Sequence, residues 1–119
     1  MNILSVDVGG SPLDPALALF RLKGHLDAQT VGELEQRFEE QVRGSRVRWI
    51  VDLSGLEYIS SAGLGSFVGA LSELRAQEGD IFFIGLTPKM EKIFKVLGFT
   101  RIFRIFPSEG EAVRAFKGA

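Results

Sequence analysis

The chain of 119 residues contains no cysteine and only one histidine, one tryptophan and one tyrosine. Without cysteine there can be no disulfide and no thiolate-bound metal, a composition that suits a reducing cytoplasm. With His25 as the only imidazole, and the carboxylates scattered, no metal site is seen either. No metal and no cofactor is therefore expected. Long apolar runs are also missing: stretches such as residues 81–86 fall far short of the ~20 residues that cross a bilayer. No basic-then-apolar leader opens the sequence. The expectation is a soluble, cytoplasmic protein without direct membrane insertion. Neither sign of charge dominates. Fourteen basic and fifteen acidic residues leave a formal net charge of −1, which argues against nucleic-acid binding through bulk charge. What the chain does have is 45% hydrophobic residues, ten of them phenylalanine, in a length that suits one domain spanning residues 1–119.

Glycine and proline punctuate this apolar material. Residues 3–8 read as a short strand, "GGSPLDP" (residues 9–15) as a turn, and residues 16–22 as a second strand, together an antiparallel hairpin. In the second strand Leu17, Leu19 and Arg21 share one face, and Ala18, Phe20 and Leu22 the other. "GHLDAQT" leads into a helix, with Thr30 and Glu33 placed as a capping box and Asp27 as a rival cap. Val31, Leu34, Phe38 and Val42 hold helical spacing up to Gly44. "VRWIVDL" (residues 47–53) reads as a central strand covered on both faces. Leu64, Phe67, Val68, Leu71 and Leu74 then predict a helix reaching about Glu78, stopped by Gly79. "DIFFIG" is a buried strand, and Thr87-Pro88 opens a helix whose inner face is Met90, Ile93, Phe94 and Leu97, ended by Gly98. Residues 102–106 form a last strand. Ser108 and Glu111 cap a final helix that turns Ala112, Val113 and Phe116 inward. The order β-β-α-β-α-β-α-β-α predicts an α/β fold: a mostly parallel sheet of about five strands with one antiparallel edge strand and four helices.

The loops at the carboxyl ends of parallel strands form the functional rim of such a sheet. "SGLEYISSAGLG" is expected there, following the strand that ends at Leu53. Its paired serines and glycines carry no charge apart from Glu57. A nucleophile elbow needs Gly-x-Ser-x-Gly, which is absent, and His25 alone supplies no triad, so no catalytic residue and no enzyme activity is expected. The phosphate-loop pattern Gly-x-x-x-x-Gly-Lys-Ser/Thr is absent too, and Gly63 and Gly65 without a lysine are a weak anion signal. Either Ser60 or Ser61 can cap the helix that follows, which accounts for one hydroxyl but not for the pair.

The run "VDLSGLEYISSAGLGSFVGAL" resembles the signature of the STAS family, the bacterial anti-sigma-factor antagonists and their relatives. Asp52, Leu53, Ser54, Tyr58, Ile59, Ser60, Ser61, Ala62, Gly63 and Leu64 fill that pattern in order. "GHLDAQT" and "KVLGFTRIFRIFPSEGEAVRAF" are similar to the family's entry to the first helix and to its usual tail. The resemblance implies a non-enzymatic, partner-switching regulator. Unphosphorylated, it would bind an anti-sigma factor that is itself a serine kinase; phosphorylated on Ser61, it would let go, and a phosphatase would restore it. Ser60 stands where many antagonists have Asp, and it is the second choice as acceptor. The partner-binding residues so implied are Asp27, Asp52, Ser60, Ser61, Gly63, Gly65 and Gly69. Asp27 and Asp52 are expected beside Ser61 on one rim, and Gly65 and Gly69 on the outward face of the same helix. Two other roles are open to STAS-like domains: a soluble subunit of a transporter or lipid-transport assembly, or a nucleotide sensor, although nucleotide binding is not expected here.

Overall fold

A computed structural model describes residues 3–118. Its elements are β1 (Leu4–Ser11), β2 (Asp14–Leu26), α1 (Val31–Arg43), β3 (Arg48–Ile59), α2 (Ser61–Arg75), β4 (Asp80–Ile84), α3 (Pro88–Val96), β5 (Arg104–Ile105) and α4 (Glu109–Phe116), with a single 3₁₀ turn at Phe99–Arg101. The five strands lie in one sheet in chain order, β1-β2-β3-β4-β5. Only β1 and β2 pair antiparallel; the other three pairings are parallel. The expected architecture is the one observed.

Sequential parallel strands dictate where the helices go. Each crossover steps to the next strand in the same direction, so right-handed connections place α1, α2 and α3 on one face of the sheet. Their inward side chains, Leu34 and Phe38, Leu64, Phe67, Leu71 and Leu74, and Met90 and Phe94, join Ala18, Phe20, Leu22, Trp49, Val51, Leu53 and Phe83 in one core. α4 follows the last strand and is bound by no crossover. It covers the opposite face, setting Ala112 and Val113 against Leu17, Leu19, Ile50, Phe82 and Ile84. Phe116 stacks on Phe82 with ring centroids 3.7 Å apart. The middle stretches of β2 and β3 therefore bury both faces, which for residues 47–53 is what their near-continuous apolar run predicts.

Several boundaries differ from the sequence reading. β1 and β2 run through most of the "GGSPLDP" segment: Gly9 and Gly10 pair with Leu19 and Ala18, and the turn is confined to Pro12 and Leu13. α2 ends at Arg75, and Glu78, not Gly79, takes the left-handed backbone (φ 63°). Gly79 is needed for another reason: a Cβ there would lie 2.0 Å from the Val47 carbonyl oxygen. After α1, Ser45 rather than Gly44 has positive φ. Leu97 is exposed instead of facing inward, and the last strand is reduced to Arg104–Ile105.

The difference that matters for function is β3. It does not stop at Leu53 but continues to Ile59, pairing with β2 through Gly55, Leu56, Tyr58 and Ile59. Two register shifts, between Arg21 and Lys23 and between Gly24 and His25, interrupt this outer stretch of the ladder. Gly24 sits at φ +97°, where a Cβ would collide with the Ile3 carbonyl oxygen. The shifts rotate the strand, so Leu53, Leu56 and Ile59 are buried at intervals of three rather than two. β4 pairs with β3 only as far as Asp52–Ile84. The outer halves of β2 and β3 thus project beyond β4 and carry the β3–α2 turn to the end of the sheet.

Candidate functional site

The turn from β3 into α2 is held to the turn from β2 into α1. The Ser60 amide donates to the Leu26 carbonyl at 2.9 Å, so the two carboxyl-terminal strand ends meet at Leu26 and Ser60. Asp27 follows directly. Its Oδ1 accepts from the amides of Gln29 (2.9 Å) and Thr30 (3.2 Å), closing an Asx turn that satisfies donors at the start of α1. Thr30 is the last residue before the helix, but its hydroxyl accepts from the Asp27 amide and donates to the His25 carbonyl. No Thr30 side-chain cap forms, so of the two candidate caps it is Asp27 that serves. Asp27 is buried, one residue past the point where Leu26 meets Ser60.

The two serines divide their work. Ser60 is extended (φ −96°, ψ 174°) and its Oγ accepts from the Gly63 amide at 3.4 Å, making it the N-cap. Ser61 is the first residue of α2 and is exposed. Its hydroxyl is therefore presented to solvent at the positive end of a fifteen-residue helix.

The glycines divide as well. Gly63 is buried, and a Cβ there would meet the Leu26 side chain at 2.7 Å and Ile59 at 3.1 Å. It lets the first turn of α2 press onto the two strand ends, and its amide is already engaged by Ser60. Gly63 thus supports the turn from beneath and offers no open anion-binding amide. Gly65 and Gly69 are exposed, with nothing within 4 Å of an added Cβ. They lie four residues apart on the outward side of α2, where Gly65 also follows Ser61 by four, the spacing of neighbours on one helix face. Together with Ala62, Ser66 and Ala70 they floor an open groove of about 670 Å³ between α1 and α2. Val31 and Phe38 form the α1 wall, and three carboxylates, Glu35, Glu39 and Glu73, stand around it.

Asp52 is the misplaced member of the expected set. It pairs with Ile84, and its Oδ1 accepts from the Ser54 amide at 2.9 Å. Gly85 (φ +70°) packs so closely that a Cβ would meet Asp52 Oδ1 at 2.3 Å. Asp52 therefore shapes the end of β4. Seven further strand residues separate it from Ser60, eight steps or roughly 26 Å at ~3.3 Å per residue, so it does not flank Ser61. The cause is the unforeseen length of β3. His25 is half-buried, with Nε2 3.5 Å from a Glu57 carboxylate oxygen, and its ring lies 5.9 Å from that of Tyr58. Sequence reasoning gave the α1 wall of the groove no role, although Val31, Glu35 and Glu39 follow at helical spacing. Among the described residues no helix is long and apolar enough to cross a membrane, and no group of three metal-ligating side chains converges.

Comparison with known proteins gives a consistent result. The STAS domain family model matches residues 12–112. BtrV of Bordetella bronchiseptica is 34% identical over 98 residues, covering 82% of this chain and 84% of that protein. The anti-sigma-B factor antagonist of Listeria monocytogenes is 31% identical over 88 residues, covering 74% and 77%. Among solved structures, an anti-sigma factor antagonist from Mycobacterium paratuberculosis superposes with a TM-score of 0.83 at 21% identity, covering 95% of this chain and 93% of that one. Bacillus SpoIIAA in its phosphorylated form superposes with a TM-score of 0.71 at 22% identity, covering 94% and 99%. At these identities the two structures establish a common fold.

Proposed function

The chain belongs to the STAS domain family, and from that premise we propose that it is an anti-sigma-factor antagonist working by partner switching, with Ser61 as its phosphate acceptor. One observation supports the choice of residue above the others: Ser60 spends its hydroxyl on the helix cap, whereas Ser61 stands exposed beside it at the first position of α2. A kinase must reach a hydroxyl, and here it can do so without dismantling the turn. The glycine and alanine floor next to Ser61 admits a close-fitting partner surface. The partner so implied is an anti-sigma factor with serine-kinase activity, and a phosphatase would reset the switch.

Phosphorylation adds about −1.5 to −2 charges at neutral pH. At the amino end of α2 the helix dipole tolerates that charge, so the domain stays folded. A partner packed over Ser61 would instead have to desolvate it, against the carboxylates already lining the groove. A penalty of about 3 kcal/mol weakens binding ~100-fold, enough to exchange partners. Affinity capture from the native cell tests this reading. Wild type and Ser61→Ala should retain an anti-sigma factor that Ser61→Asp loses. Equal capture by all three would contradict it.

A further inference from the structure

Outside the Ser61 rim, exposed apolar side chains gather at one corner, the junction of α3 with the 3₁₀ turn. Val96 is 74% exposed and Leu97 53%. With Ile93 and the aliphatic stem of Lys92 they form one open apolar patch from which Val96 and Leu97 protrude. Ile102, 38% exposed, lies just beyond the turn. The surrounding charge is one-sided: residues 87–104 carry five cations and one carboxylate in a chain that is otherwise acidic. Arg104 is engaged over the Phe82 and Phe106 rings; of the other four, all exposed, Lys92, Lys95 and Arg101 stand at the corner and Lys89 at the start of α3.

The surface that complements this corner is on the same molecule. The α1–α2 groove has an apolar, small-residue floor and carries Glu35, Glu39 and Glu73 with no cation lining it. A knob of apolar side chains fringed by lysine matches a groove fringed by glutamate. The topology also sets the symmetry. α1, α2 and α3 lie side by side on one face of the sheet. The groove and the knob thus share a face, and the knob cannot fold back into its own groove. Two copies facing each other across a two-fold axis would place each knob in the other's groove, an isologous contact that closes on itself.

We propose that the unphosphorylated chain self-associates in this way, the α3 corner of each copy seated in the α1–α2 groove of the other, so that the dimer covers the groove next to Ser61. This goes beyond the partner-switching reading and is tested on the purified chain alone, so either can fail without the other.

The test is sedimentation velocity across a concentration series reaching about 1 mM, at low and high salt. Wild type should form a dimer that weakens as salt rises. The exposed pair Lys92→Glu/Lys95→Glu and the pair Glu35→Lys/Glu39→Lys should each weaken dimerisation at least about tenfold, since like charges then face each other. An equimolar mixture of the two variants should restore the dimer, because each knob then meets a groove of opposite charge. Leu97→Asp should be monomeric with unchanged circular dichroism. A wild type that stays monomeric throughout, or a mixture that fails to restore association, would overturn the proposal. So would tight binding of the α3 corner to vesicles of anionic phospholipid without self-association, which would assign it to a lipid surface.

Discussion

At the scale of single residues, the paired serines illustrate how one turn can satisfy its own structure and still keep a hydroxyl free for chemistry. Ser60 is the structural member. Ser60→Ala should cost about 0.5–2 kcal/mol, toward the lower end because its bond to the Gly63 amide is long at 3.4 Å, and thermal melting will read the loss. Ser61→Ala should stay within about 0.5 kcal/mol of wild type in the same experiment. That asymmetry was not legible in the sequence, where either serine fits the cap; only the extended backbone of Ser60 decides it. The α1 cap shows a similar limit. Thr30 and Glu33 satisfy the capping-box spacing, yet the Asp27 carboxylate takes the amides and Thr30 turns back to His25. Asp27→Ala should therefore destabilise more than Thr30→Val disturbs the amino end of α1, with about 1 kcal/mol expected for the lost turn.

At the scale of elements, α2 carries three glycines with two different reasons. Gly63→Ala forces a methyl into Leu26 and Ile59, and overpacking of this kind should cost about 1–3 kcal/mol. Gly69→Ala meets nothing and should stabilise the helix by up to ~1 kcal/mol. Gly69→Gln should leave the melting temperature close to wild type but fill the groove and weaken binding of the anti-sigma factor. A sharp fall in melting temperature with Gly69→Gln would make the glycine a packing residue. The outward placement of Gly65 and Gly69 could be read from the apolar stripe they avoid. The extent of β3 could not. Alternation identifies a strand while its ladder is regular; the register shifts opposite Gly24 replace that period with Leu53, Leu56 and Ile59, so the second half of the strand reads as a loop. The misplacement of Asp52 beside Ser61 follows from that single error.

At the scale of the whole molecule, the alternation of strands and helices was enough to give sheet order and direction, because right-handed crossovers leave few options. α4 lay outside that rule, and its place on the opposite face came from packing alone. Its removal exposes Leu17, Leu19, Ile50, Phe82 and Ile84 together. A chain ending at Pro107 should accordingly aggregate or bind a hydrophobic dye, a contiguous apolar patch being the usual cause. The helical face opposite α4 is the one that the proposed function assigns to partners, and its two ends differ in character: an acidic groove beside Ser61 and a basic, apolar corner at α3. Phosphorylation of Ser61, as proposed, would act at the first of these and need not reach the sheet beneath it.

That the β3–α2 turn is a switchable docking surface is tested most directly by incubating the chain with its cognate anti-sigma factor and ATP and mapping the phosphate by tandem mass spectrometry while complex formation is followed in the same sample. The expected result is phosphate on Ser61, with release of the wild-type chain and continued binding of Ser61→Ala. Phosphate on Ser60 alone, or release of Ser61→Ala on addition of ATP, would contradict it.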